Sequence, residues 1–301
     1  MPFRVTDSLL PSVLADRIAQ TRQRIQTAQE HVLTGKRINR PSDDPYGSEA
    51  VLHFRTAQAA VEQFQQSAAV VKEGLQLADA SLEQYEQLID RAQTLLTQGA
   101  SGSSTPASRQ LLAQELDGIR TQMLAIANTS NDDRYIFGGT RQDVPPFDAN
   151  GTAAAAPTSQ QFVQIEPNAV PIAAGITADS VFSGAPGTVF STLTNAAAAL
   201  RGTIDPAADQ AAILAALDSL GGFTNRATEA RAQLGTNLNS VEGATARMSN
   251  AWLSFQGSAD RFELADMVQS AMELTQANNT LQATLQASSF SGKGSLMDFI
   301  G

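Results

Sequence analysis

Apolar residues recur at alternating steps of three and four between positions 54 and 96, without one interruption. The twelve consecutive steps have an average period of 3.5 residues, which is typical of helices that pack side by side in a left-handed supercoil. The sequence therefore predicts one long helix in a coiled coil or helical bundle. The positions are Phe54, Ala57, Val61, Phe64, Ala68, Val71, Leu75, Ala78, Leu82, Tyr85, Ile89, Ala92 and Leu96.

Related heptad patterns predict three further helical regions, at about 9–33, about 106–128 and about 223–290. The second of these begins with Thr105 as the N-cap and Pro106 as the first helical residue. Because only a short Ser- and Gly-rich turn precedes it, this helix is predicted to fold back antiparallel on the long one.

The two ends of the chain carry apolar seams that need partners. An isolated amphipathic helix is marginal in water, since most helical stability in proteins comes from packing. The predicted seam residues are Leu14, Ile18, Ile25 and Val32 near the start, and Leu281, Leu285, Leu296 and Phe299 near the end. We therefore expect both ends to be buried against another helix.

The middle of the chain, residues 141–222, has a different character. It is rich in Pro, Gly, Ala, Ser and Thr, has no Lys, and carries two Arg against seven acidic residues. Three short strands are predicted at 161–167, 170–178 and 180–184, after a strand or hairpin edge at 131–140. A small helix is predicted from Asp205-Pro206 to Gly221-Gly222. This segment is therefore predicted to be an inserted mixed, mostly β domain in an otherwise mainly α protein.

Composition excludes several classes of function. The net charge of −10 disfavours non-specific binding to nucleic acid or to an anionic membrane surface. With no Cys and two His, the chain lacks the residues for disulfides, thiolate zinc sites and most nucleophilic catalysis. The sequence contains no run of about 18 apolar residues, so no membrane-spanning helix is predicted. The first residues do not form a conventional signal peptide.

The most polar short stretch is TGKRINRPSDDPYG, residues 34–47. It lacks the first Gly and the final Ser or Thr of a phosphate-binding loop. It also lacks the ligand alternation and closing Glu of a calcium-binding loop. Asp43 and Asp44 have no His beside them to complete an acid–base site, since the two His are His31 and His53. No catalytic, metal or cofactor site is therefore predicted.

This stretch is predicted instead to be a connector between two helices. Pro41 and Pro45 interrupt the helical pattern, and Asp44 can cap a helix that starts at Pro45. The cations after the first helix are favourable near its negative end, and Asp43 is favourable near the positive end of the next helix. The candidate connector residues are Lys36, Arg37, Asn39, Arg40, Pro41, Asp43, Asp44 and Pro45.

Two long heptad helices joined by this connector resemble the flagellin superfamily. The motif NRPSDDP is similar to the hook-associated protein 3 branch of that superfamily. So are DRYIFGGTRQDVPPF at 133–147, RAQLGTNLNSVE at 231–242, and QATLQASSF with the closing SLMDFIG in 282–301. The motifs occur in the same order as in the family and lie in both ends of the chain, about two thirds of its length.

The resemblance implies an elongated, flagellin-like antiparallel coiled coil and helical rod built from both chain ends. Residues 1–47 and 259–301 would form an inner coiled coil that is disordered in the free monomer, with the connector at 34–47. Residues 48–140 and 223–258 would form the rod, and residues 141–222 an inserted outer domain.

The resemblance also implies a structural role at the hook–filament junction of the bacterial flagellum, without catalysis or cofactor. The partners would be further copies in a ring, hook-associated protein 1, flagellin and an export chaperone. The protein would be extracellular, exported through the flagellar type III apparatus without a cleaved signal. Two alternatives are a filament flagellin and, in another class, a coiled-coil binding or adaptor module.

Overall fold

The computed structural model describes residues 9–101, 104–153, 159–166, 169–185, 187–202 and 206–300, with side-chain surroundings given between residues 12 and 288 of these ranges. The chain divides into two compact units. Unit 1 comprises residues 1–60 and 251–301, and unit 2 comprises residues 61–250. The three-part division expected from the sequence uses other boundaries and stays a prediction.

Seven helices are described, together with two small antiparallel strand pairs. The protein is therefore mainly α, as predicted. The helices are α1 (Leu9–Thr34), α2 (Pro45–Ala100), α3 (Pro106–Ala127), α4 (Ala178–Phe182), α5 (Val189–Arg201), α6 (Pro206–Glu263) and α7 (Met267–Ile300).

In unit 1 the two ends of the chain pack against each other, through α1 and α7. The C-terminal end of α1 lies beside the N-terminal end of α7, so the two helices run antiparallel. Among the described side chains of this pair, those that are buried are small, and they are Thr21 and Ala28 on α1 with Ser270 and Ala277 on α7. Small side chains allow the two backbones to approach closely, which leaves the larger seam residues half-buried at the sides.

In unit 2 the predicted heptad positions of α2 form one wall of the core. From Val61 to Leu96 every one of these positions is buried except Phe64, which is half-buried. Thr105 caps α3 by accepting a hydrogen bond from the Ser108 backbone N–H at 3.2 Å, with Pro106 at the first helical position. The helix α3 packs on α5. The predicted cap and the helices predicted at about 9–33, 54–96 and 106–128 are confirmed, whereas the region predicted at about 223–290 is divided between α6 and α7 by a break at 264–266.

An aromatic cluster fills the part of unit 2 to which the middle segment contributes. Phe182 lies at its centre, with its ring centroid 4.8 Å from that of Tyr85, 5.4 Å from Phe137 and 6.0 Å from Phe147. Phe190 completes the cluster, 4.9 Å from Phe147. All five rings are buried, and their mostly edge-to-face arrangement is the favourable one for aromatic pairs.

The middle segment differs from the mostly β prediction. In its described part the strands are β3 (Phe162–Val163) and β4 (Ile172–Ala173), whereas helix includes α4, α5 and the first turns of α6. The strand predicted at 180–184 is wrong, because Val181 and Phe182 belong to α4. Of the strand or hairpin edge predicted at 131–140, the structure has the hairpin, formed by β1 (Ser130–Asn131) and β2 (Arg134–Tyr135).

The predicted helix end at Gly221-Gly222 is also wrong. The helix α6 continues through both glycines to Glu263. A Gly in a helix costs about 1 kcal/mol relative to Ala, which burial of one large side chain offsets. Leu220 and Phe223, on either side of the pair, are buried in unit 2. Tertiary packing therefore outweighs the local preference of the two glycines.

Candidate functional site: the paired helix joints

The two breaks in the helical pattern of unit 1 lie against each other. One is the connector, residues 34–47, and the other is the segment 264–266 between α6 and α7, which we call the second joint. The Ala265 backbone N–H donates to the Gly35 carbonyl at 3.0 Å, and the Arg37 N–H donates to the Glu263 carbonyl at 2.7 Å. Lys36 and Leu264 thereby form an antiparallel bridge.

Arg37 satisfies the end of α6 and the start of α2 together. The last carbonyls of a helix have no partner within the helix, and a cation close to them is favoured. The Arg37 guanidinium donates to the Phe262 carbonyl at 2.9 Å and to Asp44 Oδ2 at 3.0 Å. Asp44 uses its other oxygen, Oδ1, to accept from the Gly47 backbone N–H at 2.9 Å. Arg37 therefore connects three segments of the chain.

Glu263 is a buried carboxylate held by two cations. Its exposed fraction is 7%, and it lies at the C-terminal end of α6, where the helix dipole disfavours an anion. Lys36 Nζ lies 2.5 Å from Oε1, and the Arg55 guanidinium donates to both oxygens at 2.7 and 2.6 Å. Burial raises the pKa of Glu263, but the hydrogen bonds and charges of Lys36 and Arg55 outweigh it and hold the pKa below its usual range.

The two Asp residues of the connector have different tasks. Asp43 Oδ2 accepts from the backbone N–H groups of Arg40 at 2.8 Å and Asn39 at 3.1 Å, and these bonds lower the pKa of Asp43. The pKa of Asp44 is lowered first by the hydrogen bond from the Gly47 N–H and then by that from Arg37. Asp43 thus orders the turn itself, while Asp44 caps α2 as predicted.

Position 47, in the first turn of α2, has no room for a side chain larger than that of Gly. A Cβ at this position would lie 2.5 Å from Asp44 Oδ2 and 2.6 Å from Cδ1 of Ile38, which is buried. Any larger residue would therefore displace either the helix cap or the apolar anchor of the connector.

The structure places the remaining connector residues within or beside this turn. Asn39 Nδ2 donates to the Lys36 carbonyl at 3.1 Å, and Arg40 lies 3.9 Å from Glu30 on α1. Pro41 is exposed in the turn, and Pro45 is the first residue of α2.

Two expectations for charges in the connector differ from what the structure shows. Lys36 and Arg37 serve the end of α6 rather than the end of α1, and Asp43 serves the loop rather than the start of α2. Sequence reasoning also missed Glu263 and Arg55, whose pairing spans 208 positions of the chain. The one local signal that could have indicated the role of Glu263 is its position as an acidic residue at the end of α6, just before the helix break.

The structure describes the side chains of six of the eight predicted terminal seam residues. Leu14, Ile18, Ile25, Val32 and Leu281 are half-buried, whereas Leu285 is 44% exposed. Leu296 and Phe299 belong to α7, but their side chains lie outside the described part of the chain. Their role in assembly stays a prediction.

Most of the large apolar side chains that are exposed, among those described, lie in unit 1. A folded protein rarely exposes many such residues close together unless they meet a partner. They are Val13, Leu33, Tyr46, Leu52, Leu253, Leu264, Met267, Val268, Met272 and Leu285.

The described residues were compared with what a metal site and a membrane-spanning helix require. They include no cluster of three or more His, Cys, Asp or Glu side chains placed to hold a metal ion. Across the same residues, no helix has the length and apolar character needed to cross a bilayer.

The sequence matches known flagellar proteins. Residues 9–142 match the bacterial flagellin N-terminal helical region. Flagellar hook-associated protein 3 of Escherichia coli K12 is 29% identical over 281 residues, which cover 86% of each chain.

Solved structures show the same fold. A putative flagellar hook-associated protein from Vibrio parahaemolyticus has a TM-score of 0.68 at 19% identity, covering 74% of this chain and 100% of its own. The flagellar junction protein FlgL from Legionella pneumophila has a TM-score of 0.57 at 15% identity, covering 72% of this chain and 100% of its own. At such identities the likeness concerns the fold.

Proposed function

The chain belongs to the flagellin superfamily, in its hook-associated protein 3 branch, and from this premise we propose that it is a structural subunit at the junction between flagellar hook and filament. Its relatives are structural flagellar proteins, and no catalytic role is proposed. Its place would be the extracellular flagellum, reached through the flagellar type III apparatus without a cleaved signal.

The observation that carries the proposal is the apolar surface of unit 1. The antiparallel pair of α1 and α7 buries mainly small side chains and leaves Val268 70% exposed and Met272 60% exposed. A monomer gains little from holding such a pair in place, because ordering each residue costs about 1–2 kcal/mol. Neighbouring subunits would cover these side chains in the assembled state and thereby stabilise the pair.

The mechanism we propose is coupled folding and binding of the two ends. Residues 1–47 and 259–301 would become fully ordered when they meet their neighbours, so the cost of ordering falls at the assembly site. Residues 48–140 and 223–258 would act as a folded rod, and residues 141–222 as an outer domain.

The proposed partners follow from the position at the junction. Further copies of the chain would form a ring, with hook-associated protein 1 on the hook side and flagellin on the filament side. An export chaperone would protect the apolar ends before secretion.

A filament flagellin is the second candidate, because the matched family is that of bacterial flagellin. The two candidates differ in how far they polymerise. Hooks from cells that lack this gene would be incubated with the purified chain, then with flagellin, and viewed by electron microscopy. We expect the chain to add a short layer and stop, after which flagellin elongates from it.

The control is flagellin of the same bacterium, incubated alone with preformed filament seeds, which it elongates. Growth of this chain by itself into long filaments would favour the flagellin candidate. No binding to hook ends would contradict both.

A further inference from the structure

We propose that Glu263 couples the two joints, so that the connector and the start of α7 form or lose their cross-joint hydrogen bonds together. We call the group of Glu263, Lys36, Arg37 and Arg55 the clasp. The inference deepens the proposed function, on which its biological meaning rests, because the clasp would decide how the two ends become ordered.

The first step is that Glu263 contacts the connector in two ways. Its backbone carbonyl accepts from the Arg37 N–H at 2.7 Å, and its carboxylate pairs with Lys36 Nζ at 2.5 Å. Its own chain continues directly into the second joint, where the Ala265 N–H returns to the Gly35 carbonyl at 3.0 Å. Shifting Glu263 therefore disturbs the donor and the acceptor strand of the bridge at once.

The second step is electrostatic. A buried carboxylate at the C-terminal end of a helix is unfavourable unless cations compensate it. The groups that face it are Lys36 from the connector and Arg55 from α2, while Arg37 lies on the adjacent Phe262 carbonyl. Losing either cation leaves a partly compensated charge at 7% exposure, which favours movement of Glu263 toward water.

The third step is that Arg55 belongs to neither joint. It lies in α2, and both side-chain hydrogen bonds described for it go to Glu263. If Arg55 acts only through Glu263, removing its charge must loosen both joints equally. Two independent joints would not respond in that way.

Beyond the clasp, α7 has its own cap. Asp266 Oδ1 accepts from the backbone N–H groups of Val268 at 2.9 Å and Gln269 at 3.0 Å. Asp266 therefore fixes where α7 starts, directly after the clasp, and α1 and α7 would order outward from the clasp. The clasp itself would stay closed in the free chain. The segments that become ordered on assembly would then be α1 and α7, without the two joints.

The test is amide hydrogen exchange in the full-length free chain, comparing the parent with Glu263→Gln and Arg55→Met. We expect the Arg37 and Ala265 amide hydrogens to be protected in the parent. In both variants we expect exchange at both positions to rise together, by about tenfold or more, as for loss of a charged hydrogen bond. The matched control is Glu242→Gln, which removes an exposed carboxylate paired with Lys72 in unit 2 and should leave both joints unchanged.

Three outcomes would overturn the coupling. They are acceleration at one joint alone, exchange in the variants equal to the parent, and unprotected amides in the parent. Unchanged melting of unit 2 shows that the variants are folded. The proposed junction role is measured separately, by binding to hook ends, so either idea can fail without the other.

Discussion

Phe182→Ala is expected to destabilise unit 2 by about 3–5 kcal/mol, the usual cost of removing a buried Phe side chain. Phe182 is fully buried and lies within 6.3 Å of four other aromatic rings, counted between ring centroids. Its replacement leaves a cavity that the four remaining aromatic side chains of the cluster cannot close by small shifts. For a unit of this size the melting temperature should fall by roughly 6–20 °C.

The matched control is Phe162→Ala, which makes the same chemical change on β3 of the same segment. Phe162 is 62% exposed, so we expect its replacement to change the free energy of unfolding by no more than about 0.5 kcal/mol. Thermal unfolding followed by circular dichroism measures both. Equal effects of the two substitutions would contradict the assignment of the core to the aromatic cluster.

Ile25→Asp is expected to abolish assembly on hook ends while leaving the melting of unit 2 unchanged. Ile25 is half-buried on α1, and α1 packs against α7 in unit 1. A charge there must be desolvated whenever the pair orders, at a cost of several kcal/mol, or a factor of at least a hundred in the equilibrium. Sedimentation of the chain with isolated hooks measures the bound amount.

Ile25→Leu is the matched control, because it keeps an apolar side chain of equal volume at the same position. We expect it to bind hook ends as the parent does. Normal assembly of the Asp variant would show that the seam does not take part, and a large fall in the melting temperature of unit 2 would show that the effect is not local.

The long helices were predictable from sequence because their signal is repeated. Thirteen heptad positions from Phe54 to Leu96 agree with one another, so no single residue decides the outcome. Caps were predictable as well, since Thr105-Pro106 and Asp44-Pro45 act on their nearest neighbours. Local sequence is sufficient to predict an interaction when its two partners lie within one or two helical turns of each other.

The middle segment was less predictable because its elements are short. SVFSG contains β-branched and aromatic residues in a strand-like pattern, yet Val181 and Phe182 lie in α4, where both are buried and Phe182 is the centre of the aromatic cluster. The glycines at 221 and 222 fail as a helix end for the same reason, since Leu220 and Phe223 pack on either side. In both places tertiary packing decides between local alternatives of similar energy.

The clasp shows a different limit. Sequence reasoning identified two of its four residues, Lys36 and Arg37, and assigned them to the nearest helix end. Their true partners, Phe262 and Glu263, lie more than two hundred positions away, and the Arg37–Phe262 contact spans 225. No local pattern specifies which of several helix ends a cation meets, so that pairing required the fold.

Deletion of the gene tests most directly the proposal that this chain joins hook and filament. The measurement is electron microscopy of the deleted strain together with an assay for flagellin in the medium. We predict intact hooks without filaments and flagellin released unpolymerised, with both defects reversed by the restored gene. Filaments still attached to hooks in the deleted strain would contradict the account.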